Sequence, residues 1–71
     1  METIHIRDEY IKLGQAMKLA GMSGSGVDAK VVIQEGLVEV NGQVELQRGK
    51  KLRSGDVITY NGESVKIVND N

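Results

Sequence analysis

The spacing of apolar residues along the chain changes period twice. From Thr3 to Arg7, Ile4 and Ile6 alternate with His5 and Arg7, the pattern of a short strand with one buried face. His5 falls on the wet side as an ordinary strand histidine. From Asp8 onward Leu13, Ala16, Met17 and Ala20 recur at i, i+3, i+4 and i+7, the stripe of an amphipathic helix. Asp8 is placed to cap its start and Gly21 to end it in the left-handed conformation, which predicts a helix over about 9 to 20. Met17 reads as core filler, while Lys12 and Lys18 lie off the stripe and face water. The segment Ser23-Gly24-Ser25-Gly26 has neither the glycine spacing nor the lysine of a phosphate loop, and reads as a turn between helices. Ser25, with Asp28 three residues on, caps a second helix predicted over about 26 to 35; Ala29, Val32 and Ile33 form its buried face and Gly36 stops it. Lys30 projects from its first turns, near backbone N–H groups without a partner inside the helix.

The rest of the chain has period two. Leu37 to Val40, Asn41-Gly42, and Gln43 to Leu46 form alternating sequence around a two-residue Asn-Gly connection, a strong hairpin signal. Val57 to Tyr60, Asn61-Gly62, and Glu63 to Val68 repeat the design twenty residues later. Between them Gln47 to Asp56 ends in Ser54-Gly55-Asp56, which reads as a turn, and Asn69-Asp70-Asn71 reads as a frayed tail. The order is a strand, two helices and two hairpins. It predicts a single α+β domain over 1–71, two helices packed on one face of a small β-sheet built from two hairpins.

Composition narrows the chemistry. The chain has 71 residues, no Cys, no Phe or Trp, one histidine, and only Tyr10 and Tyr60 as aromatics. Disulfide scaffolds and zinc ribbons need cysteines this chain does not have, and the single histidine leaves no His/Cys metal cluster and no serine–histidine constellation with a spare base, so neither a metal nor a cofactor is expected. No apolar run of about 18 residues occurs, and the first residues lack the basic-then-apolar order of a signal peptide, so the expected location is the cytoplasm. The net charge is −1, but its distribution is uneven. Arg48, Lys50, Lys51 and Arg53 place four positive charges and no negative one in six residues, against five positive and ten negative elsewhere. A solvated loop accounts for such a cluster, and so does a loop that contacts phosphates.

Lys12-Leu13, Leu19-Ala20-Gly21-Met22, Ser25 with Ala29-Lys30, Glu35-Gly36-Leu37-Val38-Glu39-Val40-Asn41-Gly42 and Leu52-Arg53-Ser54-Gly55-Asp56-Val57-Ile58 together resemble an S4-type RNA-binding domain, over roughly Tyr10 to Val68. The resemblance is to the small free-standing bacterial members. It implies an S4-like fold, the αL motif, that binds structured RNA with the two helices and the loop after the first hairpin. On that basis Lys12, Lys18, Ser25, Lys30, Arg48, Lys50, Lys51 and Arg53 would line the RNA-binding surface, with ribosomal or transfer RNA as partner and the ribosome as a candidate context. Gly14 stands where the family often has an acidic residue, and Gly26 where many members have a basic one.

Two functions follow from different premises. The first is non-catalytic binding of structured RNA by a monomer; lacking Phe and Trp, the domain has no aromatic platform for single-stranded bases, so a folded stem or junction is expected. The second is a protein-interaction module whose basic loop docks an acidic partner. Asp56 and Glu39 are the carboxylates an enzyme would use, but no second catalytic group accompanies them, and Asp56 reads as a turn residue.

Overall fold

The computed structural model describes residues 1–22 and 29–70, so the turn after the first helix and the predicted Ser25 cap lie outside the described residues. The elements run β1 (Glu2–Ile6), β2 (Ile11–Lys12), α1 (Leu13–Leu19), α2 (Ala29–Gln34), β3 (Val38–Val40), β4 (Gln43–Val44), β5 (Lys51–Leu52), β6 (Val57–Tyr60) and β7 (Glu63–Asn69).

The first helix starts four residues later than the periodicity predicts, and Asp8 does not cap it. Ile11 and Lys12 are instead drawn into an antiparallel ribbon with Leu52 and Lys51. Lys12 takes the cap position in an extended conformation, φ −75° and ψ 144°, with no side-chain cap hydrogen bond. The free N–H groups of the first turn find carbonyls on the neighbouring loop: Leu13 donates to Lys50 at 2.9 Å and Gly14 to Arg48 at 3.0 Å. A helix start needs such acceptors, and here tertiary structure supplies them in place of Asp8. Both helices end as expected. At the end of α1, Gly21 at φ +70° lets Met22 donate to Met17 and Gly21 to Lys18; at the end of α2, Gly36 at φ +79° does the same for Leu37 to Val32 and Gly36 to Ile33. This is the paired 6→1 and 5→2 closure of a Schellman motif.

The main sheet is mixed and five-stranded, in the order β1-β7-β6-β3-β4. It is more than two hairpins. β1 adds parallel to β7, with Ile4 beside Ile67, and β3 pairs antiparallel with β6, with Val40 beside Ile58. β4 is only two residues long, shorter than the alternating sequence to Leu46 suggests. Asn69 and Asp70 are also better held than a frayed tail, Asn71 lying outside the described residues: β7 runs through Asn69, Asp70 donates its N–H to Ile6 O at 3.0 Å, and its carboxylate meets His5 Nδ1 at 2.9 Å.

Register fixes which side chains share a face. Ile4, Ile6, Val38, Val40, Ile58, Val65 and Ile67 point to one side and are buried. Leu13, Ala16 and Met17 of α1, Ala29, Val32 and Ile33 of α2, and Leu52 of β5 complete the same cluster. The helices therefore cover one face of the sheet, and β5 closes the end where α1 begins.

Candidate nucleic-acid interface

The basic segment is held by its backbone while its side chains stay in water. After β4, Glu45 N–H returns to Val38 O at 3.0 Å, and a turn from Gln47 to Lys50 swings the chain towards α1. There the Arg48 and Lys50 carbonyls accept the first-turn N–H groups of the helix, and Lys51-Leu52 pairs with Ile11-Lys12. Leu52 is completely buried, so it anchors the segment; Arg48, Lys50, Lys51 and Arg53 around it are all exposed. Beyond β5, Asp56 closes the loop, accepting the Arg53 N–H at 2.8 Å and the Asn41 side-chain amide at 3.0 Å. Asp56 is thus a turn residue.

This arrangement brings together cations that are distant in sequence. Lys12 lies directly across the ribbon from Lys51. Lys12 of β2, Gln15 and Lys18 of α1 and Arg48 of the loop line one cleft of about 390 Å³, which α2 reaches with Ala29. On the other side of Lys12 and Gln15 lies a second cleft, which Tyr10 and Leu19 help to line. Among the described residues, Lys12, Lys18, Arg48 and Lys50 form no salt bridge. Like charges gathered without counter-ions repel, and an anion brought among them relieves that repulsion. Lys30 is exposed on α2, one residue past Ala29 of the cleft. Ser25 lies outside the described residues.

Sequence reasoning missed one residue here. Tyr10 is partly exposed, with Lys51 Nζ 4.9 Å and Arg53 Cζ 6.0 Å from its ring centroid. Such cation–π contacts contribute about 0.5–1 kcal/mol each at exposed sites and orient the cations. Tyr10 precedes the helix and is more than forty residues from Lys51 and Arg53, so only the β2–β5 ribbon reveals the meeting.

Residues 4–68 match the family model described as the S4 domain. The chain belongs to the S4 domain family. Its relatives are small proteins of similar length. The YbcJ protein of Escherichia coli (strain K12) is 39% identical over 59 residues, covering 83% of this chain and 84% of that one. The Bacillus subtilis (strain 168) protein RlbA, named as a probable ribosome maturation protein, is 43% identical over 67 residues, covering 93% and 94%. The solution structure of E. coli YbcJ, described as revealing an αL motif involved in RNA binding, superposes with a TM-score of 0.71 at 36% identity, covering 96% of this chain and 87% of that one. The S4 domain is an RNA-binding family and not an enzyme class. Among the described residues no helix is long and apolar enough to cross a membrane.

Proposed function

We propose that this S4 domain binds structured RNA, ribosomal or transfer RNA, without catalysing a reaction on it. The surface is formed by Lys12 of β2, Lys18 of α1, Lys30 of α2, and Arg48, Lys50, Lys51 and Arg53 of the loop between the hairpins, and Ser25 is proposed as a further contact. The observation that carries this reading is the convergence of α1 and the loop: Lys12 and Lys18 share a cleft with Arg48. A cationic loop pointing away from the helices would favour an acidic protein partner instead. Cations on two elements that flank one cleft suit the phosphates of a folded RNA, which a protein reads largely by shape. The ribosome-maturation name of the B. subtilis relative supports ribosomal RNA as the first target to examine. The domain acts as a monomer in the cytoplasm.

The test is the salt dependence of binding to a panel of RNA stems, including ribosomal and transfer RNA fragments. Lys50 and Lys51 are exposed, so replacing both with Ala should leave the fold intact, weaken binding to every RNA alike, and flatten the slope of log affinity against log salt by about two units. A folded double variant with unaltered affinity and slope would exclude the loop as the binding site. An interaction module for an acidic protein would then be the better reading, and the exposed Val44 and Leu46 at the β4 edge favour examining that end of the sheet.

A further inference from the structure

Gly14 is buried in the first turn of α1, and glycine is the poorest helix former after proline. The reason for a glycine there lies on the loop. A Cβ at this position would stand 2.5 Å from Arg48 Cγ and 3.0 Å from Arg48 Cδ, whereas the Arg48 carbonyl oxygen is 3.7 Å away. The two shorter distances are well inside van der Waals contact; the third is ordinary. The space a methyl group would take is filled by the Arg48 stem. The backbone beneath is pinned as well, because the Gly14 N–H donates to the Arg48 carbonyl at 3.0 Å. Arginine on a surface loop normally loses rotamer freedom when it binds a ligand. Here the first half of the side chain already lies against the helix, and it leads into the cleft lined by Lys12 and Lys18.

Three cations that form no salt bridge among the described residues thus surround a cleft of about 390 Å³. A water occupies about 30 Å³ in the liquid, so the cleft admits a tetrahedral oxyanion with part of its hydration. A guanidinium with two ammonium groups matches such an ion in charge and in donor geometry. We propose that Gly14 is a positioning residue, holding Arg48 beside Lys12 and Lys18 to form a pocket for a single phosphate group. Resting on the RNA-binding reading above, that group is a backbone phosphate of the bound RNA.

The test compares the wild-type chain with Gly14→Ala, Arg48→Ala and the double variant, using inorganic phosphate and bulk transfer RNA as probes. Titrated phosphate should shift the wild-type amide resonances of Lys12, Gln15, Lys18 and Gly49 saturably, and should do so in none of the variants. Affinity for transfer RNA should fall about tenfold in each single variant, the loss expected for one charge-assisted contact. The double variant should lose no more than either single one, because both substitutions remove the same contact. Melting separates this from a structural role for Gly14. In the Arg48→Ala background the close contacts are gone, and Gly14→Ala should raise the Tm as a better helix former; a lower Tm there would overturn the proposal. Additive losses, or a Gly14→Ala variant that binds both probes as wild type does, would overturn it too. Transfer RNA binding that ignores all three variants removes the pocket and leaves the RNA reading standing. Saturable phosphate shifts in a chain that binds no RNA keep the pocket and remove the RNA reading.

Discussion

Asn41 and Asn61 have φ of 54° and 52°, and the glycines that follow them, Gly42 and Gly62, have φ of +84° and +79°. Two successive residues at positive φ make the type I′ turn that matches the twist of paired strands. An asparagine tolerates this conformation and a glycine accepts it freely, so the dipeptide alone announced both turns. Asn41 does more than turn the chain. Its side-chain Oδ1 accepts the Val57 N–H at 2.9 Å and its side-chain Nδ2–H donates to Asp56 Oδ1, which ties the first hairpin to the start of β6. A Cβ on Gly42 meets nothing within 4 Å, so Gly42→Val should destabilise by about 1–3 kcal/mol through backbone strain alone. Gly49 also has open space around it but no positive φ in the left-handed range. Gly49→Ala should therefore be neutral or stabilise by up to about 1 kcal/mol. Urea titrations of the two variants check the contrast, and equal destabilisation would refute the conformational account. Asp8 failed as a cap for the complementary reason. A capping residue is informative only if the helix begins beside it, and Ile11-Lys12 had a better use across from Lys51-Leu52.

Among the elements, the long periodic ones were legible and the shortest was not. Four or more residues of alternation identify β6 and β7, and an apolar stripe identifies α1, because each signal repeats within the segment. The ribbon of β2 and β5 is two residues on each side, too short to carry any period. It nevertheless decides where the cations sit, since it places Lys12 against Lys51 and brings the loop carbonyls to the start of α1. The candidate site was therefore half legible: Arg48 to Arg53 stood out as a run, while their meeting with Lys12, Lys18 and Tyr10 depends on a pairing made through space. Leu52 is the buried anchor of that ribbon. Leu52→Ala should cost about 2–5 kcal/mol, as fully buried leucines do, and in a chain this small much of the molecule should unfold near room temperature. Thermal melting followed by circular dichroism reads the loss; a fall in Tm of only a degree or two would mean that Leu52 is not holding the loop.

For the molecule as a whole, a net charge of −1 conceals an uneven distribution, with four cations between Arg48 and Arg53 against five positive and ten negative residues elsewhere. If about four phosphates are neutralised, log affinity should fall with log salt at a slope of roughly −3 to −4, which is about a hundredfold between 50 and 200 mM. Fluorescence anisotropy at several salt concentrations measures it, and a slope near zero would rule out a phosphate-contact surface. The parallel union of β1 with β7 has a bearing on time instead of affinity. The other pairs of the main sheet join strands that are neighbours in the sequence or, for β3 and β6, separated by residues 41–56, whereas β1 must find a partner some sixty residues away. Closing a loop of that size costs about 1 kcal/mol more than closing the β3 to β6 connection, and the search is correspondingly slower. Loop closure therefore predicts that the two hairpins and the helices form at the folding barrier and that β1 docks on the downhill side of it. Ile4→Val should accelerate unfolding and leave the folding rate nearly unchanged in a denaturant chevron. The earliest compact form of the chain is then one in which the β7 edge still stands open, and for that interval any extended strand competes with residues 2–6 for the same row of hydrogen bonds.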